Sequence, residues 1–86
     1  MKIDVTQEDI DRGVPRTGDC CPIALALRRT TDRPWQIDRR MAMCLKRDSW
    51  MSLVFLPEQA TSFINSFDLG KTVAPFTFAF PWEPRT

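Results

Sequence analysis

The chain of 86 residues contains no histidine. Histidine is the most common general base near neutral pH, and a nucleophilic side chain normally depends on such a base, so this absence weighs against nucleophilic catalysis. The three glycines stand in turn and helix-end contexts rather than in a glycine-rich loop that could surround a phosphate group. We therefore expect a protein that is not an enzyme and that carries no cofactor.

Cysteine is scarce and badly arranged for cross-linking or metal binding. Only Cys20, Cys21 and Cys44 are present, an odd number in which two members are adjacent. Adjacent cysteines are poorly placed to bridge each other, and a structural zinc ion needs four ligands, usually in Cys-x-x-Cys pairs. The sequence predicts three reduced thiols and no metal site.

Long apolar runs are also missing. A membrane-spanning helix needs roughly 18 or more consecutive apolar residues, and Asp4 stands where a signal peptide would have its apolar segment. Hydrophobic residues make up 43% of the chain and charged residues 27%, proportions typical of folded globular domains. We expect a single domain over residues 1–86, located in the cytoplasm.

The apolar residues that are present follow strand and helix periods in turn. In chain order they predict a strand at 3–5, a helix over 20–29, strands within 35–45 and over 50–56 joined as a hairpin, a helix between Pro57 and Gly70, and a strand at 76–80. This β-α-β-β-α-β order predicts an α+β fold, in which about four strands form one antiparallel or mixed sheet and two helices pack on one face.

Helix-end signals support these bounds. Asp19 is the predicted N-cap of the first long helix, with Pro22 in its first turn. Thr6 and Asp9 have the spacing of a capping box, which predicts one helical turn over 7–12.

The same helix start places two thiols where reactivity is most easily raised. A helix N-terminus carries partial positive charge, so Cys20 or Cys21 there can have a lowered pKa. Cysteine is also among the most buried residue types, and simple packing in the core is the alternative interpretation.

The charge is concentrated in the middle of the chain, although the net charge is only +1. Basic side chains mixed with tryptophan predict a binding surface for a protein partner, since Arg and Trp dominate interface hot spots, or for nucleic acid, through phosphate contacts and stacking. A solvated charged face is the third interpretation. The candidate partner-binding residues are Arg28, Arg29, Arg33, Trp35, Arg39, Arg40, Lys46 and Arg47.

Several stretches along most of the chain carry a family resemblance: Val5-Thr6-Gln7-Glu8-Asp9-Ile10, Cys21-Pro22-Ile23-Ala24-Leu25-Ala26, Leu56-Pro57, Phe63-Ile64, Phe67-Asp68, and Gly70 with Val73 and Pro75-Phe76-Thr77-Phe78. Together they resemble small uncharacterised proteins encoded by phages and prophages. The resemblance implies a non-enzymatic protein of the host bacterial cytoplasm that binds and inhibits a host macromolecular complex, most concretely an anti-CRISPR protein acting on a CRISPR–Cas effector.

On this interpretation, the basic segment would contact the partner protein. The alternative is a small nucleic-acid-binding regulator that uses residues 28–47. Neither interpretation involves a membrane. A homodimer formed by pairing of the 76–80 edge strand with its own copy is also open.

Overall fold

Two separate antiparallel sheets and three helices make up the part of the chain described by the computed structural model, which is residues 1–38, 40–45 and 51–82. In chain order the elements are β1 (Lys2–Val5), α1 (Gln7–Arg12), α2 (Pro22–Thr31), β2 (Trp35–Asp38), β3 (Met41–Leu45), β4 (Met51–Phe55), α3 (Glu58–Asp68) and β5 (Phe76–Ala79). The α+β class is confirmed.

The strands divide between the sheets by position in the chain. The first and last strands pair with each other, with Ile3 opposite Phe78, whereas β2, β3 and β4 form a three-stranded meander in that order. The described strands therefore form two sheets, where the sequence predicts one sheet of about four strands. Residues 35–45 form two strands because the chain turns back between Asp38 and Met41, whereas the predicted order counts this segment once.

The core lies around α2, which packs against β1, β2 and α1. Ile23, Ala24 and Leu27 of this helix have no exposed surface. The two sheets meet through aromatic rings: Trp35 of β2 makes edge-to-face contacts with Phe80 and Trp82, at centroid distances of 5.1 and 5.2 Å.

The capping box predicted at the start of α1 is confirmed. Thr6 Oγ1 accepts a hydrogen bond from the Asp9 amide at 3.2 Å, and Asp9 Oδ2 accepts one from the Thr6 amide at 3.0 Å. A six-residue helix has little stability of its own, so these bonds are a large part of what holds α1 in place.

The start of α2 differs from the prediction. The helix begins at Pro22 and its N-cap is Cys21, whose Sγ accepts a hydrogen bond from the Ala24 amide at 3.4 Å. Asp19 lies too far before the helix to cap it, because the chain at 18–21 is still in a bend when the helix begins. The helix ends at Thr31 and is followed by its C-cap Asp32, which has a left-handed φ of 56°.

The end of α3 agrees with the sequence, since Gly70 follows the helix with a positive φ of 76°. Among the described residues, no helix is both long enough and apolar enough to cross a membrane. The connection of the predicted hairpin, residues 46–50, lies outside the described residues, but the pairing of its two strands is confirmed by the register of Ala42 opposite Val54.

Candidate binding surface

Trp35 and Arg28, two of the predicted binding residues, have structural roles. Trp35 is fully buried, and its indole Nε1–H donates to Thr31 Oγ1 at 2.9 Å. Its ring is therefore not accessible to a binding partner. Arg28 Nε donates to the backbone oxygen of Trp35 at 2.9 Å, which fixes the guanidinium against β2.

Arg29 is paired with a buried acid. Its Nη2 lies 2.8 Å from Asp9 Oδ2 and also donates to the backbone oxygen of Asp4 at 2.8 Å. Burial raises the pKa of Asp9, but the hydrogen bonds from Arg29 and Thr6 outweigh this effect and hold it below the usual value. The bond with Asp9 in turn raises the pKa of Arg29. This pair therefore joins α2 to α1.

The other two described bases among the candidate residues, Arg33 and Arg40, lie near other parts of the fold. The Arg33 guanidinium lies over the ring of Trp82, 5.6 Å from its centroid. Arg40 lines an open groove of about 750 Å³ together with Glu58 and Asp68 on the polar face of α3. Arg39, Lys46 and Arg47 lie outside the described residues. The four described arginines of the basic segment thus lie against different parts of the fold rather than forming one face.

The thiols at the start of α2 have different surroundings. Cys21 is buried, and this burial raises the pKa of its thiol despite hydrogen bonds from the helix amides, while the nearby Asp68 acts in the same direction as burial. Cys20 is half-buried and Cys44 is buried. The packing interpretation therefore holds for Cys21. Within the described ranges, no group of three or more His, Cys, Asp or Glu residues is placed to hold a metal ion.

Among the described residues, an exposed apolar surface lies on the side of the three-stranded sheet that faces away from the core. Leu53 and Phe55 of β4 are 54% and 72% exposed. Met43 and Met41 stand opposite them on β3 and are half-buried. We call these four residues the outer face.

The outer face follows from strand geometry. Successive side chains of a strand point to opposite sides, so Val54 and Leu56 enter the core while Leu53 and Phe55 face solvent. The nearly continuous apolar run over 50–56 predicts this strand from sequence, but it does not show which side faces solvent, because polar and apolar residues do not alternate along it.

An apolar cleft of about 380 Å³ separates the end of β4 from the end of β5. Its lining residues are Met1, Phe55, Leu56, Pro57, Ala79, Phe80 and Pro81. The outer face and this cleft share Phe55, so the apolar surface continues around the end of the strand.

Comparison of the chain with protein-family models, with curated proteins and with solved structures finds no match. The resemblance to phage-encoded proteins therefore stays a prediction, and the geometry of the fold is what bears on function.

Proposed function

We propose that this protein acts by binding another protein through the outer face formed by Met41, Met43, Leu53 and Phe55. The observation that carries the proposal is the exposure of two large apolar side chains, 54% for Leu53 and 72% for Phe55, at adjacent outward positions of one strand. Single exposed apolar residues are ordinary, but neighbouring ones on a flat sheet mark an interaction site more often.

The composition of the outer face suits protein recognition. Phenylalanine and methionine are enriched in protein interfaces, and the flexible methionine side chain adapts to different partner shapes. Full burial of Phe55 or Leu53 against a partner contributes about 1.5–3 kcal/mol each by removal of apolar surface from water. A few such residues, grouped at the centre of an interface and surrounded by a polar rim, supply most of the binding energy in protein complexes.

The polar rim is supplied by the neighbouring strand. Gln36 and Asp38 of β2 are exposed and stand beside Met43 and Met41 in the sheet register. Arg40 is also exposed, but it stands opposite Leu56 and lines the groove beside α3, on the other side of the sheet. Among the described residues, the rim beside β2 therefore carries one acid, Asp38, and a partner with a basic group at this position would be favoured.

The partner proposed is a macromolecular complex of a bacterial host, and the more specific role is that of an inhibitor such as an anti-CRISPR protein. This part of the proposal is supported by the resemblance given above. The contact surface proposed here differs from the one expected from sequence, because the outer face contains none of the predicted basic residues.

Nucleic acid has less support as the partner. Arg29 is held by Asp9, and Arg28 is held by the backbone of Trp35, so these two bases are already engaged within the fold. Trp35 is unavailable for base stacking because it is buried.

Affinity capture from a host lysate with matched variants tests the proposal. Phe55→Ser removes an apolar side chain from the outer face, while Leu69→Ser removes one of similar exposure, 68%, from the end of α3. We expect the captured partner, once purified, to bind the Leu69→Ser variant as it binds the unchanged protein and to bind Phe55→Ser at least about tenfold more weakly, which is roughly 1.4 kcal/mol.

Equal affinity of the two variants would contradict the outer face as the binding surface. Salt-sensitive binding of labelled DNA or RNA by the purified protein, with no protein captured, would favour the nucleic-acid alternative instead.

A further inference from the structure

The two edges of the three-stranded sheet differ in whether their backbone groups are hydrogen-bonded to other parts of the chain. At the β2 edge, the Ile37 amide donates to the Gly18 backbone oxygen at 2.7 Å, and the Trp35 backbone oxygen accepts from Arg28 at 2.9 Å. These are the groups that an added strand would use. The β2 edge is therefore closed by the chain itself.

At the other edge, β4 presents its backbone to the outside. The Leu56 amide donates to the Arg40 oxygen at 2.7 Å, and these two residues stand opposite each other when the β3–β4 register is extended by one position. In an antiparallel ladder the residues that exchange hydrogen bonds alternate, so the amides and carbonyls of Leu53 and Phe55 point away from β3. Within the described ranges, neither residue makes a further backbone hydrogen bond outside the ladder.

The edge of β4 also has none of the features that prevent edge-to-edge association. The strand Met51–Phe55 contains no charged residue and no proline. On β5, by contrast, the residues whose backbone points outward are Thr77 and Ala79, which are flanked by Pro75 and Pro81. The Thr77 hydroxyl is moreover committed to Asp4 Oδ1 at 2.6 Å.

We propose that β4 pairs in antiparallel fashion with β4 of a second copy of this chain, which joins the two three-stranded sheets into one of six strands. The free backbone groups of β4 can pair with another extended, uncharged strand whose own backbone groups are free. The β4 strand of a second copy is such a strand. The net charge of +1 means that little electrostatic repulsion opposes the approach of two copies.

The register of this pairing follows from symmetry. A two-fold axis through Leu53 places Leu53 opposite Leu53 of the second copy and Phe55 opposite residue 51, so that all three outward-pointing positions of the strand exchange hydrogen bonds. An axis through Val54 would use only two of these positions. The Leu53 register is therefore the one we assign, and it makes the outer faces of the two copies continuous.

This inference does not depend on the proposed function, because it concerns the backbone edge and not the partner bound by the outer face. Sedimentation velocity of the full chain across a range of concentrations tests it. We expect a species with twice the 10.0 kDa mass of a single chain, formed in a concentration-dependent way.

Two proline variants compare the edges directly. Leu53→Pro removes an outward amide of β4 and leaves the ladder to β3 intact, so it is expected to sediment as a single chain. Ala79→Pro makes the same change on β5 and is expected to stay dimeric. Loss of the dimer in Ala79→Pro but not in Leu53→Pro would assign the pairing to β5 and overturn the proposal.

Charge variants test the register without removing an amide. Leu53→Lys and Leu53→Glu each place like charges opposite each other across the two-fold axis, so each is expected to be a single chain, whereas their equimolar mixture is expected to form dimers. A mixture that stays monomeric would contradict the Leu53 register. Thermal unfolding followed by circular dichroism verifies that each variant is folded.

A last variant separates edge pairing from packing of two outer faces. Leu53→Ser keeps the amide, so edge pairing predicts a dimer weakened much less than in Leu53→Pro. Equal and complete dissociation of both variants would mean that the copies meet face to face. A wild-type chain that stays single at every concentration would overturn the proposal as a whole.

Discussion

The ion pair between Asp9 and Arg29 shows how a residue of the predicted binding segment becomes part of the fold. Asp9 is 6% exposed although it follows Glu8 in a short, polar helix. It accepts hydrogen bonds from Thr6 and from Arg29, which satisfy the carboxylate in its buried position. Residue type alone does not reveal this, since the partner of Asp9 comes from a helix 20 residues away.

Asp9→Asn is expected to lower the free energy of unfolding at pH 7 by about 1–3 kcal/mol, because Arg29 loses its ionised partner. The folded state lowers the pKa of Asp9, so the stabilisation is fully present above the ordinary carboxyl pKa and is lost as the pH falls through the folded pKa. The free energy of unfolding, measured with urea between pH 7 and pH 2, should therefore decrease less on acidification in Asp9→Asn than in the unchanged protein. Asp11→Asn, an exposed change in the same helix, is the control, and equal effects of the two changes would refute the role of the pair.

The thiols provide a second prediction for single residues. Cys20 is half-buried, whereas Cys21 is 2% exposed, caps α2 and has a raised pKa. We expect iodoacetamide at pH 7 to modify Cys20 first and to reach Cys21 only when the protein unfolds. Peptide mapping by mass spectrometry measures the order, and rapid modification of Cys21 in the folded protein would contradict its placement in the core.

Among the elements, the loop that precedes α2 is fixed by a close backbone contact. A Cβ atom at Gly18 would lie 2.9 Å from the backbone oxygen of Ile37, closer than such atoms approach. Glycine at this position lets the loop reach β2, where the Gly18 carbonyl oxygen accepts a hydrogen bond from the Ile37 amide. The sequence indicates a loop here but gives no sign of which strand it contacts.

Gly18→Ala is accordingly expected to destabilise the protein by about 1–3 kcal/mol, since the loop must move away from β2 and leave the Ile37 amide without its partner. Asp19→Ala is the matched control, because the helix is capped by Cys21 and the neighbouring carboxylate makes little difference. Denaturant unfolding compares the free energies of unfolding of the two variants. A larger decrease in Asp19→Ala than in Gly18→Ala would contradict this account and favour Asp19 as the N-cap.

The elements also show what patterning can and cannot predict. The face of α3 with Ala60, Phe63 and Ile64 buried agrees with the 3.6-residue period, because a single amphipathic helix is a local property. The division into two sheets depends on pairing between residues almost 80 positions apart, as in the bonds between Met1 and Phe80. No local signal encodes such a pairing.

At the scale of the whole molecule, the candidate binding surface also could not be predicted from local sequence patterns. The basic residues could be counted from the sequence, but their distribution over separate parts of the fold depends on the tertiary structure. The outer face required knowledge that β4 stands at a sheet edge with one side toward the core. Function at this scale is therefore assigned to a surface rather than to a sequence segment.

The most direct measurement of the outer face as a binding surface uses isotope-labelled methionine methyl groups in nuclear magnetic resonance. Met41 and Met43 lie on that face, whereas Met1 contacts the cleft at the other side of Phe55. On addition of the purified protein partner, the account predicts that the Met41 and Met43 signals shift and broaden, and that Phe55→Ser removes the effect. Binding that leaves both signals unchanged would contradict it.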